Sequence, residues 1–278
     1  MKPEKVSVHG GHSGEFCSHA DGTLEMIVES YIGKGFSWAG ITEHIPPVDE
    51  KFIYPEEKGL GLTCESMYSR FVRYFNECRR LQHKYSDRIT LYAAMEIETY
   101  SGSEQHVAAL IEKFQPDYIV GSVHHVDDIP IDYSKEEYHR AAVKLGSVDA
   151  LYCRYFDQQF DMITRLKPAV VGHFDLIRIY DEDYRSRLQL PDIARRIARN
   201  LDAIQKLGLI LDYNVRSLQK GADEPYISSV LLDSVRERGI AVVPGDDSHG
   251  VETVGLNIER AIAELTKKGF STEWRRPA

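Results

Sequence analysis

Cysteine is scarce in this chain of 278 residues. Cys17, Cys64, Cys78 and Cys153 are scattered, with no Cys-x-x-Cys pair. That spacing argues against a thiolate zinc site or a disulfide framework, and it suits a reducing compartment. Long apolar runs are also missing: no stretch approaches the ~18 residues that suggest a membrane span. The opening MKPEKVSVHGGHSGEF has no apolar leader core, so no signal peptide is expected. Nor is there an excess of positive charge. Forty-three acids against 34 Lys+Arg give a net charge of -9. This disfavours a broad basic face for nucleic acid while leaving room for a small anion pocket. No Ser/Gly/Pro-rich linker, low-complexity tract or internal repeat divides the sequence. The expectation is a soluble cytoplasmic protein that acts on small molecules, with neither nucleic acid nor membrane as partner and its oligomeric state open.

What the chain does have is eleven histidines and a regular alternation of short β-rich runs with longer helical stretches. The runs are Val6–His9, Trp38–His44, Ile89–Glu98, Tyr118–His125, Ala169–Leu176, Leu209–Asn214 and Ile240–Asp246. Helices are predicted over about Leu24–Lys34, Cys64–Tyr85, Glu104–Phe114, Lys135–Lys144, Val148–Leu166, Asp192–Leu207, Ser228–Arg238 and Leu256–Lys268. Gly208 is a plausible stop for the helix ending at Leu207. Several β runs are apolar almost throughout, as strands buried on both faces are, which points to a parallel sheet covered by helices. An open doubly wound sheet and a closed barrel both fit that pattern.

The polar residues favour the barrel. Nearly every β run ends in histidine or carboxylate: His9-Gly-Gly-His12, Glu43-His44, Glu96-Ile-Glu98, His124-His125, His173-Phe-Asp175, Asp212-Tyr-Asn214 and Asp246-Asp247-Ser-His249. In a parallel barrel all strand C-termini share one rim, where active sites sit. An open sheet would spread the same residues along too long an edge. Imidazoles and carboxylates without thiolates suit Zn, Fe or Mn better than Ca or Mg. Clustered metals are a common device for displacement at phosphorus.

Any one strand-end histidine is more often structural than a ligand, so the weight lies in the set. His83, His106 and His139 fall on helices with charged neighbours and read as surface residues. Adjacent strand residues point to opposite faces, so only one of His124 and His125 is expected at the site. The same choice arises at Asp246 and Asp247. Asp247 shares a face with His249 and is preferred. Glu98 shares a face with Glu96, further along, as an outer-shell or substrate contact. The cysteines read as packing residues, with Cys17 the one beside the histidine cluster.

The motifs HSGEFCSH, GITEHIP, FIYPEE, MEIE, GSVHHVDDIPID, KPAVVGHFDLIR, LDYN, DEPY and DDSHGVETVG resemble those of the PHP (polymerase and histidinol phosphatase) superfamily. FIYPEE, HHVxxIPID and GHFDLIR are similar to its histidinol-phosphate phosphatase branch, which serves histidine biosynthesis. The resemblance runs from His9 to about Gly255. It implies an α/β fold, a distorted (βα)7 TIM-like barrel, forming a single metallohydrolase domain over residues 1–278. It further implies three transition-metal ions. His12, Glu96 and Asp247, with a histidine of the first motif, would hold one. Glu96 would bridge to a second, completed by His124 and His173. His19, His44 and His249 would hold the third.

The chain departs from the family's His-x-His motif. Gly10 stands two before His12, and the histidine lies one earlier. His9 joins the site only if the backbone bends or bulges at Gly10-Gly11. The implied activity is hydrolysis of L-histidinol phosphate, with Glu96, Asp247 and Arg178 as catalytic candidates. Arg178 is the first choice for gripping phosphate, because a guanidinium can do so bidentately. Arg216 and Lys220 are further phosphate candidates, and Tyr54, Glu98 and Asp132 are candidate contacts for the substrate's imidazole or ammonium. The rival readings are a phosphoesterase for another small monoester or nucleotide, and a non-catalytic, metal-stabilised PHP module.

Overall fold

In the computed structural model, which describes residues 3–277, nine strands form. They are β1 Lys5–Ser7, β2 Phe36–His44, β3 Thr90–Ile97, β4 Ile119–Gly121, β5 His125–Val126, β6 Ile129–Pro130, β7 Val170–Val171, β8 Ile210–Asn214 and β9 Ala241–Gly245. Seven make one parallel sheet in the order β1-β2-β3-β4-β7-β8-β9, and β5-β6 is a separate antiparallel hairpin. The two edges of the large sheet meet. Val8 N donates to Pro244 O at 2.9 Å, and Asp247 N donates to His9 O at 2.8 Å. The sheet is therefore a nearly closed seven-stranded barrel.

Two layers of core follow from the period-2 alternation of strand side chains. Val6, Trp38, Ala94, Tyr118, Val120, Ile210 and Val243 belong to an inner cluster. Ala39, Ile41, Ala93, Met95, Leu211 and Val242 pack into a larger outer cluster with the helices. Continuing the inner parity to the strand ends gives His44 on β2, Glu96 on β3, Asp212 and Asn214 on β8, and Asp247 beyond β9. One alternation thus fills the barrel with apolar side chains below and crowns it with polar ones above.

The helices are set by local signals. Thr23, Thr63, Ser134 and Ser147 cap the helices Leu24–Gly33, Cys64–Lys84, Lys135–Leu145 and Val148–Leu166, each accepting from a backbone N–H of the first turn. Gly208 ends Pro191–Leu207 at φ 65°, as expected of a left-handed stop. Among the described residues no helix is long and apolar enough to cross a membrane.

Two predicted runs are much shorter than expected. Tyr118–His125 keeps sheet pairing only over Ile119–Gly121, and Ala169–Leu176 only over Val170–Val171. Beyond those points the backbone turns inward to deliver His124 and His173. Leu176–Tyr180 then winds as a 3-10 helix. His106 is not a free surface residue. Its Nε2 lies 2.8 Å from the carbonyl of Pro46, so it is tied to the loop after β2.

Candidate metal centre and substrate cavity

The rim of the barrel gathers the strand-end side chains. Glu96, 1% exposed, stands at the centre. Its Oε1 lies 2.9 Å from His173 Nε2 and 3.4 Å from His124 Nε2, and those two nitrogens are 3.3 Å apart. Its Oε2 lies 3.3 Å from His9 Nε2 and 3.1 Å from His44 Nδ1. Metal–nitrogen bonds of ~2.0–2.1 Å place the ligands of a tetrahedral shell roughly 3.3 Å apart, so these spacings match the edges of a coordination shell. Four groups have donor atoms mutually within 4.8 Å: His12/Cys17/His44/His249, His9/His173/Asp247, His9/His12/Glu96 and Glu96/His124/His173.

A second property fits metal. The buried atoms His9 Nε2, His12 Nε2, His44 Nδ1 and Asp247 Oδ1 have no hydrogen-bond partner among the described residues. Buried polar atoms without partners are costly, and several converging on one point call for a cation. The other ring nitrogen is anchored where an outer shell needs it. His9 Nδ1 pairs with Asp212 Oδ2 at 2.8 Å, and His12 Nδ1 with Glu43 Oε1 at 3.1 Å. Ser122 Oγ donates to Glu96 Oε1 at 2.6 Å, and Asn214 Nδ2 to Asp247 Oδ2 at 3.1 Å. Sequence alone places Glu43, Asp212 and Asn214 at strand ends without a role, and it does not single out Ser122. The available signal was their position, since Glu43, Asp212 and Asn214 all lie on strand ends.

His9 reaches the centre because β1 stops at Ser7 and the chain then bends. Gly11 adopts φ 79°, and a Cβ on Gly10 would lie 2.3 Å from Tyr31 Oη and 2.4 Å from Asp246 Oδ1. Only glycine fits there. Asp246 points away from the metal centre and accepts from Ser7 Oγ, Tyr31 Oη and the Gly255 amide at 2.6–2.7 Å. Asp247, at φ 46°, turns inward with Oδ1 3.4 Å from His12 Nε2.

Electrostatics couple these groups. Burial alone would lower His12, but Glu43 and Asp247 push it up to about 9. Burial likewise opposes the charge on His124, but Glu96 and Asp132 raise it to about 10. Glu96 is held well below the usual carboxylate range: burial opposes this, and the imidazoles of His9, His124 and His44 outweigh it.

Two expected placements differ. The group around His44 and His249 contains Cys17 rather than His19. The His19 ring stacks on that of His249 at 4.8 Å, but both its nitrogens lie 3.3–3.4 Å from Cys17 Sγ. Arg178 does not line the cavity beside the metal centre. Its guanidinium packs between the rings of Tyr184 and Tyr226, at 4.8 and 4.4 Å. It donates to the carbonyls of Glu224 and Pro225, both at 2.9 Å. Both carbonyls accept from the same nitrogen, Nη2, while Nε lies 3.5 Å from Asp175 Oδ2, so the structure holds the expected phosphate clamp away from the cavity wall.

That cavity, of about 290 Å³, opens above the centre and is lined by Glu96, His124, His173, Asp247 and His249 together with Tyr54, Glu98, Asp132, Arg216 and Lys220. The charge of Arg216 bears on His19 and His249, while those of Glu98 and Asp132 bear on Tyr54 and His124. Arg216 thus stands on the His249 side of the cavity, and Glu98 and Asp132 on its His124 side.

A PHP domain is matched over residues 10–216. The chain is 37% identical over 271 residues to the "Probable histidinol-phosphatase" of Schizosaccharomyces pombe, covering 96% of this chain and 88% of that one. It is 30% identical over 282 residues to the "Histidinol-phosphatase" of Saccharomyces cerevisiae, covering 89% and 84%. Its fold is like that of the Lactococcus lactis histidinol phosphate phosphatase crystallised with zinc, L-histidinol and phosphate. There the TM-score is 0.72 at 19% identity, over 96% of this chain and 95% of the other.

Proposed function

The chain belongs to the PHP domain family, and we propose that it is a histidinol-phosphatase, hydrolysing L-histidinol phosphate to L-histidinol and inorganic phosphate. The observation that carries this reading is a cavity above the histidine and carboxylate cluster with Arg216 on its His249 side and Glu98 and Asp132 on its His124 side. Histidinol phosphate is a dianion at one end and a cation at the other. Its phosphoryl group fits toward Arg216 and Lys220, and its ammonium and imidazole toward Glu98, Asp132 and Tyr54.

Three divalent or trivalent transition-metal ions, Zn, Fe or Mn, suit the donors. His9, His12, Glu96, His124, His173, Asp247, His44 and His249 would hold them, with His19 or Cys17 completing the third site. Bound ions of this kind activate water and neutralise phosphoryl charge. The chain's own residues do the rest. Glu96 supplies one oxygen to each side of the cluster. Asp212 and Glu43 fix the ring orientations of His9 and His12. Arg216 and Lys220 orient the phosphoryl group, and the side chains of Tyr226 and Leu176 wall the cavity. The enzyme is proposed to act in the cytoplasm as a single domain, on a small molecule alone. Its four cysteines are free, as suits a reducing compartment.

A phosphate-release assay across a panel of monoesters and nucleotides tests this. Histidinol phosphate should give the highest kcat/KM. A preference for nucleotides would replace the substrate, and no release from any ester by metal-replete protein would replace the enzyme with a structural module.

A further inference from the structure

His125 takes no part in the donor groups, yet it is 2% exposed. It opens β5, and its ring is boxed by Phe52, Tyr54 and Tyr100 at centroid distances of 5.8, 5.9 and 5.5 Å. Its backbone carbonyl accepts from Gln158 Nε2 at 3.1 Å, which fixes the residue from behind. Held in this way, the ring places Nδ1, which has no hydrogen-bond partner among the described residues, 3.5 Å from Glu98 Oε2.

Glu98 is 8% exposed and lines the cavity. Its imidazole neighbours are His125 at 3.5 Å, whose burial holds its pKa down and keeps the ring neutral at neutral pH, and His124, whose Nδ1 lies 3.8 Å from Oε1. Both contacts are longer than a good hydrogen bond. A buried carboxylate with such weak support is costly unless a cation meets it. His124 faces the metal centre through its other nitrogen, so its ring is committed there. The His125 ring, fixed by the aromatic box, is the group left to decide where Glu98 points.

We propose that His125 is a positioning residue that holds Glu98 toward the cavity, and that the pair selects phosphomonoesters carrying an ammonium or imidazolium group. This rests on the phosphatase reading above. His125 touches no reacting atom; it acts through Glu98. The preference it creates is for the charge of the alcohol portion, not for the phosphate.

The test compares the unmodified enzyme with His125→Phe, His125→Asn, Glu98→Gln and the His125→Phe/Glu98→Gln double variant, all loaded with the same metal. The substrates are L-histidinol phosphate and p-nitrophenyl phosphate, which carries no cation. Phenylalanine keeps the packing and removes the nitrogen. Asparagine offers an amide N–H near the position of Nδ1. A charge-assisted contact is at stake, so His125→Phe should raise KM for histidinol phosphate about 10-fold, with kcat within about twofold. The ratio of kcat/KM between the two substrates should fall by the same factor. His125→Asn should recover most of it. Glu98→Gln should show the same loss, and the double variant no more than either single change.

Equal loss toward both substrates, loss of bound metal in His125→Phe, or additive effects in the double variant would overturn the assignment. So would unchanged selectivity in His125→Phe. If His125→Phe does not fold, His125→Asn and Glu98→Gln decide. Selectivity retained in Glu98→Gln would then overturn the proposal. If the unmodified enzyme hydrolyses p-nitrophenyl phosphate but not histidinol phosphate, the substrate reading fails separately. The same variants assayed with phosphoethanolamine against p-nitrophenyl phosphate then decide the role of His125.

Discussion

Nδ1 of His9 lies 2.8 Å from Oδ2 of Asp212, with both side chains fully buried. The pairing leaves Nε2 as the nitrogen that faces Glu96, so a residue on β8 sets which atom a residue after β1 offers to the centre. Asp212 also receives the Asn214 amide at 2.9 Å. An outer-shell carboxylate of this kind typically accounts for ~10–100-fold in metal affinity. Asp212→Asn is therefore expected to weaken metal retention within that range while the barrel stays folded. Metal content after dialysis against a graded chelator series, with circular dichroism as control, checks this. Undiminished retention would make Asp212 a packing residue.

Sequence alone made the seven β runs legible, because strands buried on both faces read as apolar runs. The rim was legible because side chains alternate with period 2: Trp38 to His44, Ala94 to Glu96 and Val243 to Asp247 keep one parity. His9 breaks parity, and only the two glycines hinted that the backbone would bring it in. The ends of runs four and five were not legible, since the turns that present His124 and His173 depend on contacts from other strands. That Arg178 sits away from the cavity wall was not legible for a related reason. Its partners, the carbonyls of Glu224 and Pro225, lie 46 and 47 positions away in sequence.

Glu96 is the one carboxylate within 3.4 Å of four ring nitrogens, those of His9, His44, His124 and His173, among the described residues. Glu96→Ala should therefore cost more metal and more activity than any single histidine substitution, beyond the roughly 10–100-fold expected for an outer-shell loss. Metal content and phosphate release should fall together. Full metal occupancy in this variant would contradict the bridging arrangement.

In metal-free protein the sign of the pH dependence follows from the raised histidines. His12 is pushed up to about 9 and His124 to about 10, whereas an unfolded chain titrates near ~6.5. Their ion pairs contribute stability that is fully present below ~6.5 and is lost as pH rises through about 9 and about 10. The Tm of metal-free protein should accordingly fall across that window. Metal must displace those protons, so metal uptake at neutral pH should release protons into weakly buffered solution. A Tm that rises between pH 7 and 10 in the metal-free protein would refute this.

The last prediction separates two arginines. Arg216 lines the cavity, and its guanidinium is tethered to Gln219 Oε1 at 3.0 Å, on the His249 side. Arg178 lies outside the lining and braces the Glu224–Tyr226 segment, which in turn pairs with Asn214 across β8. If Arg216 holds the phosphoryl group, Arg216→Ala removes a charge-assisted bond of roughly 1.5–3 kcal/mol, and kcat/KM should fall by at least ~10-fold. Inhibition by inorganic phosphate should weaken by a similar factor, with metal content unchanged. Arg178→Lys should act differently. Lysine keeps the charge but loses the planar fork and its stacking between Tyr184 and Tyr226. The expected result is a lower Tm and a higher KM, with phosphate inhibition close to that of the unmodified enzyme. Measuring the phosphate inhibition constant and the Tm for both variants decides between the roles. Weakened phosphate inhibition in Arg178→Lys, with Arg216→Ala unaffected, would return the clamp to Arg178 and show that its fork leaves the Glu224 and Pro225 carbonyls when substrate binds.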